Sequence, residues 1–299
     1  MKLVQYYKKT SALTTRLGIE TLHGLVSVKL LCEYFKESRE FTMEAVIIDS
    51  DGQLEQLQKW IEKIESSEIK IEKFIERKDQ ITYLPVIQNP EKIICVSMNY
   101  LDHVKEMDGQ IPLNPILYNK FNNTLAAHKQ DIPLPPVARQ VDYSAELVVV
   151  IGKIMKNVQK ENVFDCVLGY TVGNNLTDRK LQKKSSQWML GKTLDYFAPI
   201  GPNVVTKDEI SNLNNLYVTL KVNNEIVQNG NTKDMIFDIP SILSYLSKHL
   251  TLKPGDLIFT GTPKGVILAK PADEQNWLSQ NDLVEATISN IGTLRNQIK

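Results

Sequence analysis

The chain has 299 residues, 42% of them hydrophobic and 23% charged, with 35 Lys+Arg against 35 Asp+Glu and a formal net charge of zero. That length and apolar content bury a core without disulfide or metal staples and exclude an intrinsically disordered chain. Charge balance removes the long-range field that draws proteins to nucleic acid or anionic lipid, so a small-molecule partner is expected.

The first residues, Met1-Lys2-Leu3-Val4-Gln5-Tyr6-Tyr7-Lys8-Lys9, lack an apolar stretch followed by small residues. No run approaches the roughly 18 apolar residues of a bilayer span, and a soluble, cytoplasmic protein is the expectation. Cys32, Cys95 and Cys166 are an odd number, far apart and without a C-x-x-C pair, so they read as reduced packing residues.

In chain order, strands are expected near Leu3 to Tyr6 and around Arg16-Leu17-Gly18-Ile19. Residues 54–75 carry Leu54, Leu57, Ile61, Ile64, Ile71 and Phe74 at three-to-four-residue spacing, which predicts an amphipathic helix or a pair broken near Ser66-Ser67. Residues 1–88 therefore read as a small N-terminal α/β domain without catalytic residues, and residues 89–299 as the main domain, opened after Asn89-Pro90 by a strand at 92–97. The run Glu146-Leu147-Val148-Val149-Val150-Ile151-Gly152 predicts a buried strand. Asn223-Asn224 predicts a tight hairpin between strands at 217–222 and 226–228. Asp238 and Pro240 open a helix that ends before Lys253-Pro254-Gly255, and further strands are expected at 256–260, 283–289 and 294–298. Many strands without a βαβα rhythm predict an α+β fold or β-roll, not a Rossmann fold.

Four polar clusters fall where these strands end, the usual place for sites. In the first, His103 and Glu106 stand three apart and share a face if the segment is helical, so that Glu106 orients His103 as a general base. In the second, Glu146 leads into the apolar run, a charge that must lie at an exposed end or be held by a cation. The third runs from Gly169 to Gln182 and on to Gly191-Lys192, where a tight turn presents the Lys192 ammonium to an oxyanion. The fourth is Thr260-Gly261-Thr262-Pro263-Lys264-Gly265, whose backbone N–H groups suit an anion. Each cluster alone is better explained as a solvated turn, an exposed lysine or a strand end.

Together these segments resemble the fumarylacetoacetate hydrolase family over roughly residues 90 to 298. The resemblance rests on residues 92–100, Val141-Asp142-Tyr143-x-Ala145-Glu146-Leu147-x-Val149-Val150-Ile151-Gly152, Gly169-Tyr170-Thr171-Val172, Gln187-Trp188, Gly191-Lys192, Pro199-Ile200-Gly201-Pro202, Thr232-x-Asp234-Met235-Ile236-Phe237, Pro254-Gly255-Asp256 and Thr260-Gly261-Thr262-Pro263. It implies a mixed β-roll, a homodimer, and enolate chemistry at a carbon–carbon bond of a small anionic 2-oxo or β-diketo acid: hydrolysis, decarboxylation or related lyase and isomerase reactions. In that family Mg²⁺ chelates the substrate and stabilises the enolate. The resemblance places the catalytic dyad at His103 and Glu106, the catalytic lysine at Lys192, and substrate contacts at Lys120, Arg179, Gln182 and Thr262.

The metal positions depart from the family pattern. Of three carboxylates, the first is Ser144, the second is Glu146 and the third is Asn175. Hard cations depend on anionic oxygen, so Mg²⁺ binding at Glu146, Ser144 and Asn175 is expected to be weak or absent, with Asp142 and Asp178 as candidate substitutes. No organic cofactor is expected. Two alternatives follow: a metal-independent biosynthetic enzyme using His103, Glu106 and Lys192, or a catalytically silent binding or assembly subunit.

Overall fold

The computed structural model describes residues 1–10, 14–48, 50–66 and 69–299. Among these, twelve strands form one mixed sheet. From one edge its main path runs Ile75–Glu76, Gly24–Ser27, Arg16–Thr21, Lys2–Lys8, Ala198–Thr206, Val167–Asn174, Ala145–Ile151, Leu257–Phe259, Ile93–Ser97 and Ile116–Lys120. Neighbours on this path are antiparallel except Leu257–Phe259 with Ile93–Ser97, which run parallel. A second, four-stranded sheet orders Glu225–Asn231, Tyr217–Val222, Leu283–Ile288 and Gly292–Gln297. The architecture is the mixed α+β β-roll that the strand-rich pattern predicts.

The strand Ala145–Ile151 is buried along its whole length, because both faces of the sheet are covered there. Alternation sends Leu147, Val149 and Ile151 into a core shared with the second sheet and the helix Ile239–His249. Val148 and Val150 point the other way, into a core with Leu31, Val46, Leu57 and Trp60 from the N-terminal helices. Glu146 shares that second face by the same two-residue period.

The N-terminal segment extends the large sheet through Lys2 opposite Val205 and Leu3 opposite Val204. Its helix Ser50–Glu65 ends ten residues short of the stretch read as helical, and Ile71–Phe74 forms a 3₁₀ turn instead. Of the expected break, Ser66 lies in a turn and Ser67 lies outside the described residues. Helices Val28–Phe35 and Met43–Ile48 carry too few turns for their periodicity to stand out in the sequence. Asn223 and Asn224 both take positive φ in the expected hairpin, and the Asp238 carboxylate caps the helix Ile239–His249. All three cysteines are free, with Cys95 fully buried. Among the described residues no helix is long and apolar enough to cross a membrane.

Candidate active site

The site grows from three strands of the large sheet, two of them adjacent. Tyr118 and Lys120 come from Ile116–Lys120, Glu146 from Ala145–Ile151, and Asn175 follows Val167–Asn174. The short helix Met189–Lys192 adds Lys192. Gly191 in that helix lies so close to the helix Arg179–Gln182 that an added Cβ would stand 2.5 Å from the Asp178 carbonyl oxygen and from the Gln182 nitrogen. Only glycine allows this approach, and the approach carries Lys192 inward.

Glu146 is buried, and each of its oxygens accepts a hydrogen bond: Oε1 from the Asn175 side-chain amide at 2.9 Å and Oε2 from the Gly261 backbone N–H at 2.7 Å. The same Asn175 amide donates to the Tyr118 hydroxyl at 2.7 Å. Burial pushes the Glu146 carboxyl upward, against the pull of the Gly261 N–H and of Lys192. Burial likewise drives Lys192 well below the usual lysine range, and Arg179 and Lys120 add repulsion. The Lys192 ammonium donates to Thr177 Oγ1 at 2.7 Å and stands 4.6 Å from the centre of the Tyr118 ring. An ammonium carries three donors, and Thr177 takes one. Lys192 lines a cavity of about 290 Å³ with Tyr118, Gln187, Trp188 and Met189.

The remaining expected site residues divide sharply. Lys120 was expected to meet substrate, but its ammonium donates to three carbonyls, Leu176 at 3.0 Å, Lys192 at 2.5 Å and Phe197 at 2.8 Å. All three protons are thereby used, and burial lowers the group to about 8. Lys120 braces the backbone beneath Lys192 instead of presenting a charge. Thr262 is similarly tied: its hydroxyl donates to the Ala145 carbonyl at 2.8 Å and accepts from Gln228 at 2.9 Å, leaving no proton for a substrate carboxylate. Arg179 donates through Nε to Asp142 at 2.8 Å and through a terminal nitrogen to Gln182 at 3.1 Å, with further N–H groups remaining on its guanidinium.

His103 and Glu106 do share a face of the helix Leu101–Glu106, with Nδ1 2.7 Å from Glu106 Oε1. An ionised carboxylate only accepts, so it fixes the proton on Nδ1 and leaves Nε2 as the basic nitrogen. The other Glu106 oxygen accepts from the Gly265 N–H at 2.8 Å. Gly261 and Gly265 both hold positive φ, and each turns its N–H onto a protein carboxylate. The loop predicted to receive an external anion thus joins Glu146 at one end to the dyad at the other. His103 is not among the residues lining the Lys192 cavity.

The donor set does not fit a hard divalent cation. Glu146 is the one carboxylate at the three metal positions, and N–H groups already face both its oxygens. Asp142 accepts from the backbone of Tyr143, Ile267 and Leu268 and from Arg179. Asp178 caps the helix at Leu181 and accepts from Arg139 and Gln140. Both candidate substitutes are consumed by the fold, and among the described residues no three His, Cys, Asp or Glu side chains are placed to hold a metal.

Sequence reading missed Tyr118 and Thr177. Tyr118 stands two residues from Lys120 on one strand, so strand alternation puts both on one face, and that signal was available. Thr177 gave none, because only the fold sets it beneath Lys192.

Comparison with known proteins agrees with this architecture. The family model for the fumarylacetoacetate hydrolase C-terminal domain matches residues 92–299. A protein of Xenopus laevis named as a mitochondrial oxaloacetate tautomerase is 42% identical over 224 residues, 74% of this chain and 69% of the relative. A fumarylacetoacetate hydrolase domain-containing protein 2 homolog of Dictyostelium discoideum is 44% identical over 221 residues, 70% of this chain and 72% of the relative. Among solved structures, a fumarylacetoacetate hydrolase from the psychrophile Exiguobacterium antarcticum superposes with a TM-score of 0.82 at 29% identity, covering 100% of this chain and 99% of that one. The chain belongs to the fumarylacetoacetate hydrolase family.

Proposed function

We propose that this protein moves a proton at the carbon beside the carbonyl of a small anionic 2-oxo acid, through an enolate, with keto–enol interconversion of an oxaloacetate-like dicarboxylate as its simplest form. The observation that carries this reading is Lys192: a buried ammonium with one of its donors used, lining a small cavity beside Tyr118 and Trp188. An enolate is a localised negative charge, so it favours the protonated form of Lys192 that burial disfavours in the empty pocket, and in a site shielded from water that ion pair stabilises the enolate far better than water does. The name of the Xenopus relative supports the reaction and substrate class.

In this scheme Lys192 faces the enolate oxygen and the free N–H groups of Arg179 hold the acid's carboxylate. His103 Nε2 takes the proton from carbon and returns it to the enolate oxygen to give the enol, with Glu106 as the residue that positions the ring. Carbon–carbon cleavage of an acylpyruvate passes through the same enolate, with water activated by His103. The test is ultraviolet absorbance of the oxaloacetate enol with wild type, Lys192→Met and His103→Ala, alongside a panel of acylpyruvates. Turnover that falls in both variants supports the reading; wild-type rates in Lys192→Met sink it.

A further inference from the structure

Resting on the oxo-acid reading, we propose that the pocket binds its acid directly on Lys192, and that an amide and a backbone N–H fill the place where related sites carry a divalent cation. Asn175 spans Glu146 and Tyr118 with its amide nitrogen, at 2.9 and 2.7 Å, and Gly261 closes the other carboxylate oxygen at 2.7 Å. A cation at Glu146 would meet those N–H dipoles by their positive ends. It would also enter a region where the side chains of Lys120, Lys192 and Arg179 are buried. These three basic groups oppose a dication and complement an organic anion.

Two features show what the anion meets. Lys192 keeps donors beyond its bond to Thr177. Asn175 Oδ1 is buried without a donor among the described residues, and the proton of an enol or carboxyl group would satisfy it without any ion. Asp142 and Asp178 are unavailable as rescuing ligands, because each carries backbone N–H groups of the fold.

The experiment uses the full chain with oxalate, a planar dianion shaped like an enolate, and with Mn²⁺. Calorimetry should show oxalate binding that is unchanged by EDTA or added Mg²⁺ and weakened at least about tenfold in Lys192→Met. Electron paramagnetic resonance should show Mn²⁺ free in the wild type at millimolar protein and bound in Ser144→Glu/Asn175→Asp, which restores three carboxylates. Bound Mn²⁺ in the unaltered protein, or oxalate binding that EDTA abolishes, overturns the inference and leaves the oxo-acid reading standing. Absence of oxalate binding under every condition overturns both. The wild-type measurements decide the matter even if a variant fails to fold.

Discussion

Asn175 and Glu146 stand 2.9 Å apart, amide nitrogen to carboxylate oxygen, at the centre of a buried group that also holds Tyr118 and Lys192. One neutral side chain thus allows a carboxylate to sit beside two apolar cores. Asn175→Asp would set a second carboxylate against Glu146 and remove the donor to Tyr118. We expect a loss of about 1–3 kcal/mol in urea unfolding at alkaline pH. The pair's raised folded-state affinity for protons gives the sign: the deficit is largest where both groups would ionise and shrinks as pH falls and one proton is held. A deficit that grows on acidification would refute the placement.

Lys192 separates activity from stability. Burial and neighbouring cations already disfavour its charge, so Lys192→Met removes a desolvation cost together with the ammonium. Thermal unfolding should show a melting temperature unchanged or raised, while turnover of a 2-oxo acid falls by about 10²–10³-fold. A parallel loss of both would assign the lysine to the scaffold.

Gly191 tests how Lys192 is delivered. In Gly191→Ala the new methyl meets the Asp178 carbonyl and the Gln182 backbone, neither of which is a flexible side-chain end. We expect about 1–3 kcal/mol of destabilisation by overpacking and weaker oxo-acid binding, because the two short helices must separate. Stability is read by urea titration and binding by calorimetry with oxalate.

Asp142 anchors Arg179 and three backbone N–H groups at zero exposure. Asp142→Asn leaves a buried guanidinium without its counter-charge, so unfolding free energy should drop by about 3–5 kcal/mol. A change within error in the denaturation midpoint would contradict this bonding of Asp142.

His128 gives a pH dependence remote from the site. Its Nδ1 accepts the Arg295 backbone N–H at 3.2 Å, its ring meets Tyr83 edge-on at 4.8 Å, and burial lowers it to about 4, with Lys129, Arg295 and Lys78 adding repulsion. The folded state holds the proton more weakly than the unfolded state, so stability is full above the unfolded value of about 6.5 and falls as pH drops toward the folded one. The loss should reach at most about 2 kcal/mol by about pH 5, and His128→Asn should flatten this part of the curve. An unaltered slope in the variant would place the titration elsewhere.

The sequence by itself determined the parts of this protein that depend on local period and local chemistry. The buried strand at Ala145–Ile151, the Asn223-Asn224 hairpin, the Asp238 cap and the pairing of His103 with Glu106 across three residues are all readable from neighbours a few positions apart. So was the reduction of the metal positions to Ser144, Glu146 and Asn175, because ligand chemistry is written in residue type. Tertiary structure alone decided which polar groups remain available. Lys120, Thr262, Asp142 and Asp178 all looked free as letters in the chain, and all are spent on partners distant in sequence, such as Lys120 on the carbonyl of Phe197 and Asp142 on the N–H of Ile267. A buried donor or acceptor must be satisfied wherever the fold brings a partner, and those partners lie across strands whose pairing no local window contains. Lys192 keeps unspent donors for the same reason: among the described residues the fold sets one hydroxyl beneath it.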